Sequence, residues 1–202
     1  MQLFKQDDIS IPDIVSALKS GKTIIYPTET CYGLGCDALN ARAVEKIFQI
    51  KKRQKNKPVL VVVSDESMIT DYVDWNEELV NISEHYWPGP LTVVADIKPH
   101  VELPDGILGE NRTLAFRVTD HPLASEISDF LGRPLVSTSA NISELESPYD
   151  IESVLKMFEN ADVQPDIIID AGILPHKSPS TVIRVQNGNI EILRQGELVV
   201  EL

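Results

Sequence analysis

The sequence predicts a mixed α/β fold, and three observations carry the prediction. Apolar residues recur at helical spacing in some segments and form short β-branched runs in others. The two patterns alternate along the 202 residues. No internal repeat, low-complexity tract or linker-like stretch divides them. A chain of this length can bury a real core, so residues 1–202 are expected to form a single domain around one sheet.

The elements follow in order. Ile11, Ile14, Val15 and Leu18 stand at i, i+3, i+4 and i+7, and Gly21 stops the helix they define. KTIIYP reads as a short buried strand. It leaves through Pro27 into Thr28-Glu29-Thr30, with Gly33-Leu34-Gly35 beyond. Asn40 caps a second helix, NARAVEKIFQIKKR, which carries Ala43, Val44, Ile47 and Phe48 on one face. PVLVVV has the length and β-branching of a strand. NEELVNISEHYW is helical and ends before Pro88-Gly89-Pro90. LTVVAD and TLAFRV are strands, and HPLASEISDFLG is a helix that starts at His121-Pro122 and closes at Gly132. PLVSTSAN, DIIID and STVIRV are further strands, and NIEILRQG ends the sheet.

Composition limits the function classes. The formal net charge of −13 opposes a general nucleic-acid binder, whose footprint is basic overall. No apolar run reaches the length of a membrane span, and MQLFKQDDIS has no apolar segment after a basic start, so no secretory signal is read there. Cys31 and Cys36 give no disulfide framework, and a Cys-x₄-Cys pair alone is weak evidence for a metal. They read as ordinary thiols of a reducing cytoplasm. His85, His100, His121 and His176 show no metal spacing.

Against this acidity, five of the seven residues from Lys51 to Lys57 are cationic, with no Asp or Glu between them. Cations at a helix C-terminus favour the helix dipole, and a solvated charge run is the ordinary explanation. The alternative is a site for a polyanion, in which Arg53 suits bidentate contact with phosphate and the lysines act as point charges. Three other stretches carry chemistry. Thr28-Glu29-Thr30 places hydroxyls and a carboxylate at a strand's C-terminal end, where ligand crevices form, and the two glycines after it permit unusual backbone conformations. Neither usual nucleotide fingerprint is present, so a polar turn with packing glycines is equally consistent. PLVSTSANIS offers Ser137, Thr138, Ser139, Asn141 and Ser143 directly after an apolar strand, without a triad spacing or a nucleophile elbow. These read as hydrogen-bonding groups, or as a turn capping the next element. Arg117 is a lone cation inside an apolar strand, so it either pairs with a carboxylate of the protein or awaits one on a ligand. Arg194 is similar but lies nearer a turn.

YPTETCYGLGCDA, KIFQIKKRQKNKP, YWPGPLTVV, LAFRVTDHP, PLVSTSANIS and PSTVIRV occur in this order between Tyr26 and Arg194. Together they resemble the YrdC/TsaC family of threonylcarbamoyl-adenylate synthases, in its single-domain form. The resemblance implies a YrdC-like twisted open sheet with helices and a concave, positively charged cavity. It implies that L-threonine, bicarbonate and ATP give threonylcarbamoyl-adenylate and pyrophosphate, and that partner proteins pass the threonylcarbamoyl group to certain tRNAs. The family's Lys-x-Arg and Ser-x-Asn elements fall on Lys51 to Arg53 and Ser139 to Asn141, which become the catalytic set Lys51, Arg53, Ser139 and Asn141. By the same carry-over Thr30, Arg117, Ser137 and Ser180 contact threonine, and Arg53, Lys57, Thr113, Ser139, Ser147 and Arg194 contact ATP. Some relatives have a histidine near threonine where this chain has Val62. ATP is then a substrate accompanied by Mg²⁺, no cofactor is tightly bound, direct RNA binding is at most weak, and the protein is cytoplasmic with no membrane contact. Two other readings stand beside this one. An RNA-binding module without catalysis would call for broad basicity and exposed aromatics, against 6% aromatic residues and an acidic total here. A relative that adenylates a different carbamate would release pyrophosphate without threonine.

Overall fold

A computed structural model describes residues 1–201. Its centre is a ten-stranded sheet in the order β1-β8-β2-β3-β7-β4-β6-β5-β9-β10. In chain order the strands are β1 (Gln2–Lys5), β2 (Ile24–Pro27), β3 (Tyr32–Gly35), β4 (Leu60–Val63), β5 (Leu91–Asp96), β6 (Thr113–Val118), β7 (Leu135–Ser139), β8 (Ile167–Asp170), β9 (Thr181–Gln186) and β10 (Asn189–Arg194). The helices are α1 (Ile11–Lys19), α2 (Ala41–Lys51), α3 (Glu66–Thr70), α4 (Glu77–Tyr86), α5 (Pro122–Leu131) and α6 (Ile151–Phe158). Parallel pairs (β1/β8, β2/β8, β4/β6, β5/β9) mix with antiparallel ones (β2/β3, β3/β7, β4/β7, β5/β6, β9/β10). The mixed α/β expectation holds.

Local chemistry sets the helix ends. Asn40 Oδ1 accepts the Ala43 N–H at 3.1 Å at the start of α2. That helix ends where Lys52 turns left-handed (φ 50°). Pro122 occupies the first turn of α5, and Gly132, at φ 66°, closes it.

Alternation along the strands sorts side chains into two layers. On one face Ile24, Tyr26, Val62, Leu135, Ile167 and Ile169 pack under α1 and α5. On the other, Ile25, Leu34, Val61, Val63, Phe116, Val136 and Ile168 pack with the apolar faces of α2, α4 and α6. α1 and α5 cover only part of their face, and this is what makes room for a site.

Three elements go beyond the sequence expectations. β1 is exposed along its whole length and exists through parallel pairing with β8. β3 turns Tyr32–Gly35 into an extended strand paired with β2 and β7. α6 begins at Asp150, whose Oδ1 accepts the Ser153 N–H at 2.7 Å. The reason for two glycines also changes. Gly33 and Gly35 do not adopt positive φ; they are needed for space. A Cβ at Gly35 would stand 2.5 Å from Val136 O and 2.8 Å from Tyr26 Cε1, and one at Gly33 would stand 2.9 Å from Thr28 Cγ2. Among the described residues no helix is long and apolar enough to cross a membrane.

Candidate active site

The site follows from strand register. Gly33 lies opposite Ser139, Ser137 opposite Leu60 and Leu135 opposite Val62. Val62 is level with Arg117, Ala115 with Val94, and Thr92 with Val182. All lie on the face that α1 and α5 cover in part. Under the helices this face presents Ile, Leu and Val. Beyond them it presents Gly33, Ser137, Ser139, Ala115 and Thr92, whose small side chains leave a concave floor. The cavity above that floor measures about 340 Å³.

Arg53, Arg117, Lys177 and Arg194 are its cationic walls, and no Asp or Glu side chain lines it among the described residues. Thr28, Thr30, Cys31, Ser147 and Ser180 complete the polar lining. A mainly basic lobe of about 270 Å³ adjoins it through Arg53 and Ser139, with Lys51, Lys52, Lys57, Asn141 and the carboxylate of Glu144 in its walls. A larger hollow of about 830 Å³ shares only Ser147 and Tyr149 with the cavity and carries no arginine. We assign the site to the smaller cavity, because the convergent cations and hydroxyls lie there.

The five cations of the 51–57 run have separate roles. Lys51 is buried, with Nζ donating to Ser139 O at 2.5 Å, Asn141 O at 2.8 Å and Asn141 Oδ1 at 3.0 Å. These contacts use the three N–H groups of an ammonium. Burial, and then the nearby charge of Arg53, pull its pKa down to about 7. Ser139 Oγ also donates to Asn141 Oδ1 at 2.5 Å, and Ser143 N–H donates to Lys51 O at 2.8 Å. The end of α2 is thus tied to the loop after β7. Lys55 pairs with Glu45 at 2.5 Å on the exposed side of α2. Lys52, Arg53 and Lys57 line the lobe beside the anchored Lys51. Arg53 is braced by Nε to Lys57 O at 2.7 Å and Nη2 to Pro58 O at 3.1 Å, and burial lowers its pKa.

Arg117 resolves the alternative its sequence context left open. It is buried, and its Nη2 lies 3.1 Å from Glu29 Oε1. It also lines the cavity, with its Nε lacking a hydrogen-bond partner. It therefore has a protein carboxylate and still faces the space a ligand would fill. Arg194 donates through Nε and Nη2 to Ser180 O at 3.1 and 2.8 Å, and through Nη2 to Ser180 Oγ at 3.1 Å. Ser180 Oγ lies 2.9 Å from Thr92 Oγ1. Burial, then repulsion by Arg117, lowers the Arg194 pKa. Thr28 Oγ1 lies 3.1 Å from Thr30 Oγ1 and donates to Cys31 O at 2.7 Å, fixing the turn after β2. Cys31 and Cys36 are free thiols, and burial raises the pKa of both.

The structure thus gathers Thr30, Arg53, Arg117, Ser137, Ser139, Ser147, Ser180 and Arg194 around one cavity. Lys51, Lys57 and Asn141 stand in the adjoining lobe. Thr113 lines neither. It is two residues along β6 from Ala115, donates to Glu110 O at 3.0 Å, and is separated from Pro58 at the rim by Gly109. Sequence reasoning missed Lys177, Thr92 and Tyr149 as cavity walls. Thr92 sits in a plain apolar strand and the other two in irregular chain, so only register and packing reveal them.

An α/β protein with a hydroxyl-floored, arginine-walled cavity is a recognisable class, and comparison specifies it. The Sua5/YciO/YrdC family model, described as "Telomere recombination", matches residues 16–196, so the chain belongs to that family. The threonylcarbamoyl-AMP synthase of Photorhabdus laumondii is 37% identical over 186 residues, covering 91% of this chain and 94% of that protein. The structure of P. abyssi Sua5 complexed with L-threonine superposes with a TM-score of 0.85 at 30% identity, over 96% of this chain and 57% of that one. The structure of E. coli YciO gives a TM-score of 0.81 at 26% identity, over 96% of this chain and 94% of that one.

Proposed function

We propose that this protein is an L-threonylcarbamoyladenylate synthase, a nucleotidyltransferase that makes threonylcarbamoyl-AMP and pyrophosphate from L-threonine, bicarbonate and ATP for tRNA modification. The observation that carries the reading is the cavity itself: arginines and short hydroxyls converge on one concave floor, with no carboxylate among its walls. The names of the similar proteins support it, as does the L-threonine bound to P. abyssi Sua5.

In this reading the cavity is positively charged and is divided between two substrates. Thr30, Arg117, Ser137 and Ser180 take threonine. Arg53, Ser139, Ser147 and Arg194 take ATP, with Lys57 in the basic lobe and Thr113 near the rim. The threonine amine and bicarbonate form a carbamate and water. A carbamate oxygen then attacks the α-phosphorus of ATP, and pyrophosphate leaves. No side chain needs to become a nucleophile. Catalysis is alignment of the two substrates and neutralisation of charge on the phosphoryl oxygens. Arg53 and Ser139 touch the nucleotide, while Lys51 and Asn141 hold the loop that presents Ser139. Mg²⁺ enters with ATP as part of the substrate. Residues 1–202 act as a single domain, a reading supported by the continuous ten-stranded sheet. The protein works in the cytoplasm and hands its product to tRNA-modification partners. Its own RNA binding is weak, because an acidic surface repels a long phosphate backbone.

Pyrophosphate release tests the proposal. It is expected only when ATP, L-threonine and bicarbonate are all present. Equal release without threonine would overturn it and favour a different carbamate as substrate.

A further inference from the structure

Among the described residues five buried side-chain atoms lack a hydrogen-bond partner, and four belong to one cluster: Tyr26 Oη, Glu29 Oε1, Arg117 Nε and His121 Nδ1. The cluster lies where the chain leaves β2, beside β6. Glu29 faces Arg117 through Oε1 at 3.1 Å. Its Oε2 accepts the Thr119 hydroxyl at 3.1 Å, and Thr119 Oγ1 in turn accepts the His121 N–H at 3.2 Å. Burial holds the His121 pKa below its ordinary value and raises that of Tyr26. Within the cluster Arg117 and Glu29 form an ion pair.

A guanidinium buried alone would be costly in the empty protein, and Glu29 removes that cost. The same carboxylate weakens the pull of Arg117 on any simple anion. A ligand bearing only a carboxylate would share Arg117 with Glu29 and be repelled by it. A ligand bearing a carboxylate and an ammonium on adjacent atoms would match both charges. Arg117, Thr28 and Thr30 line the cavity, and Glu29 is not itself among its walls but stands directly behind them, against Arg117.

We propose that Glu29 is a specificity-determining residue: with Arg117 it forms a dipolar pair that reads the zwitterion of a free α-amino acid, the substrate carboxylate on the guanidinium and the substrate ammonium toward Glu29. This rests on the reading above that threonine occupies this end of the cavity. It adds the reason why an amino acid is taken in preference to a hydroxy acid of the same shape.

The test is calorimetric binding of L-threonine and of 3-hydroxybutyrate, which lacks the amine. The wild-type protein is expected to prefer threonine by roughly thirtyfold or more, the scale of a charge pair that loses one partner. Glu29→Gln keeps the shape and the Thr119 hydrogen bond but drops the charge. In that variant the preference should fall to within about threefold. Thr119→Val keeps the charge and should keep the preference, even if both ligands bind more weakly. A Glu29→Gln protein that loses affinity for both ligands equally, with the preference intact, would overturn the inference and leave Glu29 as a holder of Arg117. So would collapse of the preference in Thr119→Val. Equal binding of the two ligands by wild type would overturn it without any variant. Failure of wild type to bind threonine even with ATP present would instead overturn the functional reading on which it stands.

Discussion

One face of the central sheet serves two ends in adjacent steps of register. Leu135 and Val62 face each other across β7 and β4 and are buried beneath α1 and α5. Two residues along the same strands, Ser137 and Leu60 face each other and line the cavity. Backbone pairing is continuous across both. What separates core from site is side-chain volume and the reach of two helices. Substitutions should therefore act on stability or on ligand binding according to which side of that boundary they fall.

Arg117 stands on the boundary, level with Val62 and open to the cavity, and should show the largest effect of both kinds. Arg117→Met leaves Glu29 buried without its cation, which costs about 3–5 kcal/mol, and should raise the threonine requirement by roughly a hundredfold or more. Adding Glu29→Gln should restore most of the melting temperature but not threonine binding. Thermal melting and threonine titration on both proteins check this. A double variant that recovered threonine affinity would remove Arg117 from the site.

The two sides of the boundary should then separate cleanly. Leu135→Ala empties packed space and should cost about 2–5 kcal/mol, with ligand affinity per folded molecule unchanged. Ala115→Leu fills the floor. It should move stability by no more than about 0.5 kcal/mol yet weaken ligand binding about tenfold. Denaturant melts and calorimetry on the pair would show whether the boundary is real.

An effect of comparable size is expected in pH. Lys51 has a folded pKa of about 7, below the roughly 10.4 of an unfolded lysine. Between these values the unfolded chain binds more protons, so this group makes stability rise as pH is raised through that window and adds no further slope below it. Stability measured from pH 7 to 10 should climb more steeply in wild type than in Lys51→Met. Identical slopes would mean that the amine titrates normally. The smallest effect belongs to Lys55, whose pair with Glu45 is exposed. Lys55→Ala should leave the melting temperature and ATP affinity essentially unchanged, in contrast to the buried end of the same cationic run.

Much of this arrangement was legible from the chain. The helix α2, its Asn40 cap and its buried face followed from spacing, and the strands β4 to β7 from β-branched runs. α6 was legible too: Ile151, Val154, Leu155 and Phe158 follow Asp150 at helical spacing. β1 was not, because its four residues are exposed and only its partner makes it a strand. Gly33 and Gly35 drew attention for conformational freedom, whereas the fold uses them for close approach. The charged run looked uniform, and only the tertiary structure divides it into an anchor, a surface pair and the groups left for an anion. Arg117 was identifiable as a buried cation, but its partner Glu29, far away in sequence, was not.

The most direct test of the account is the identity of the product. The protein would be incubated with ATP, L-threonine and ¹³C-bicarbonate, and the adenylates resolved by mass spectrometry. The account predicts a threonylcarbamoyl-adenylate that carries the label, formed in step with pyrophosphate. Pyrophosphate without such an adenylate, or an adenylate without the label, would contradict it.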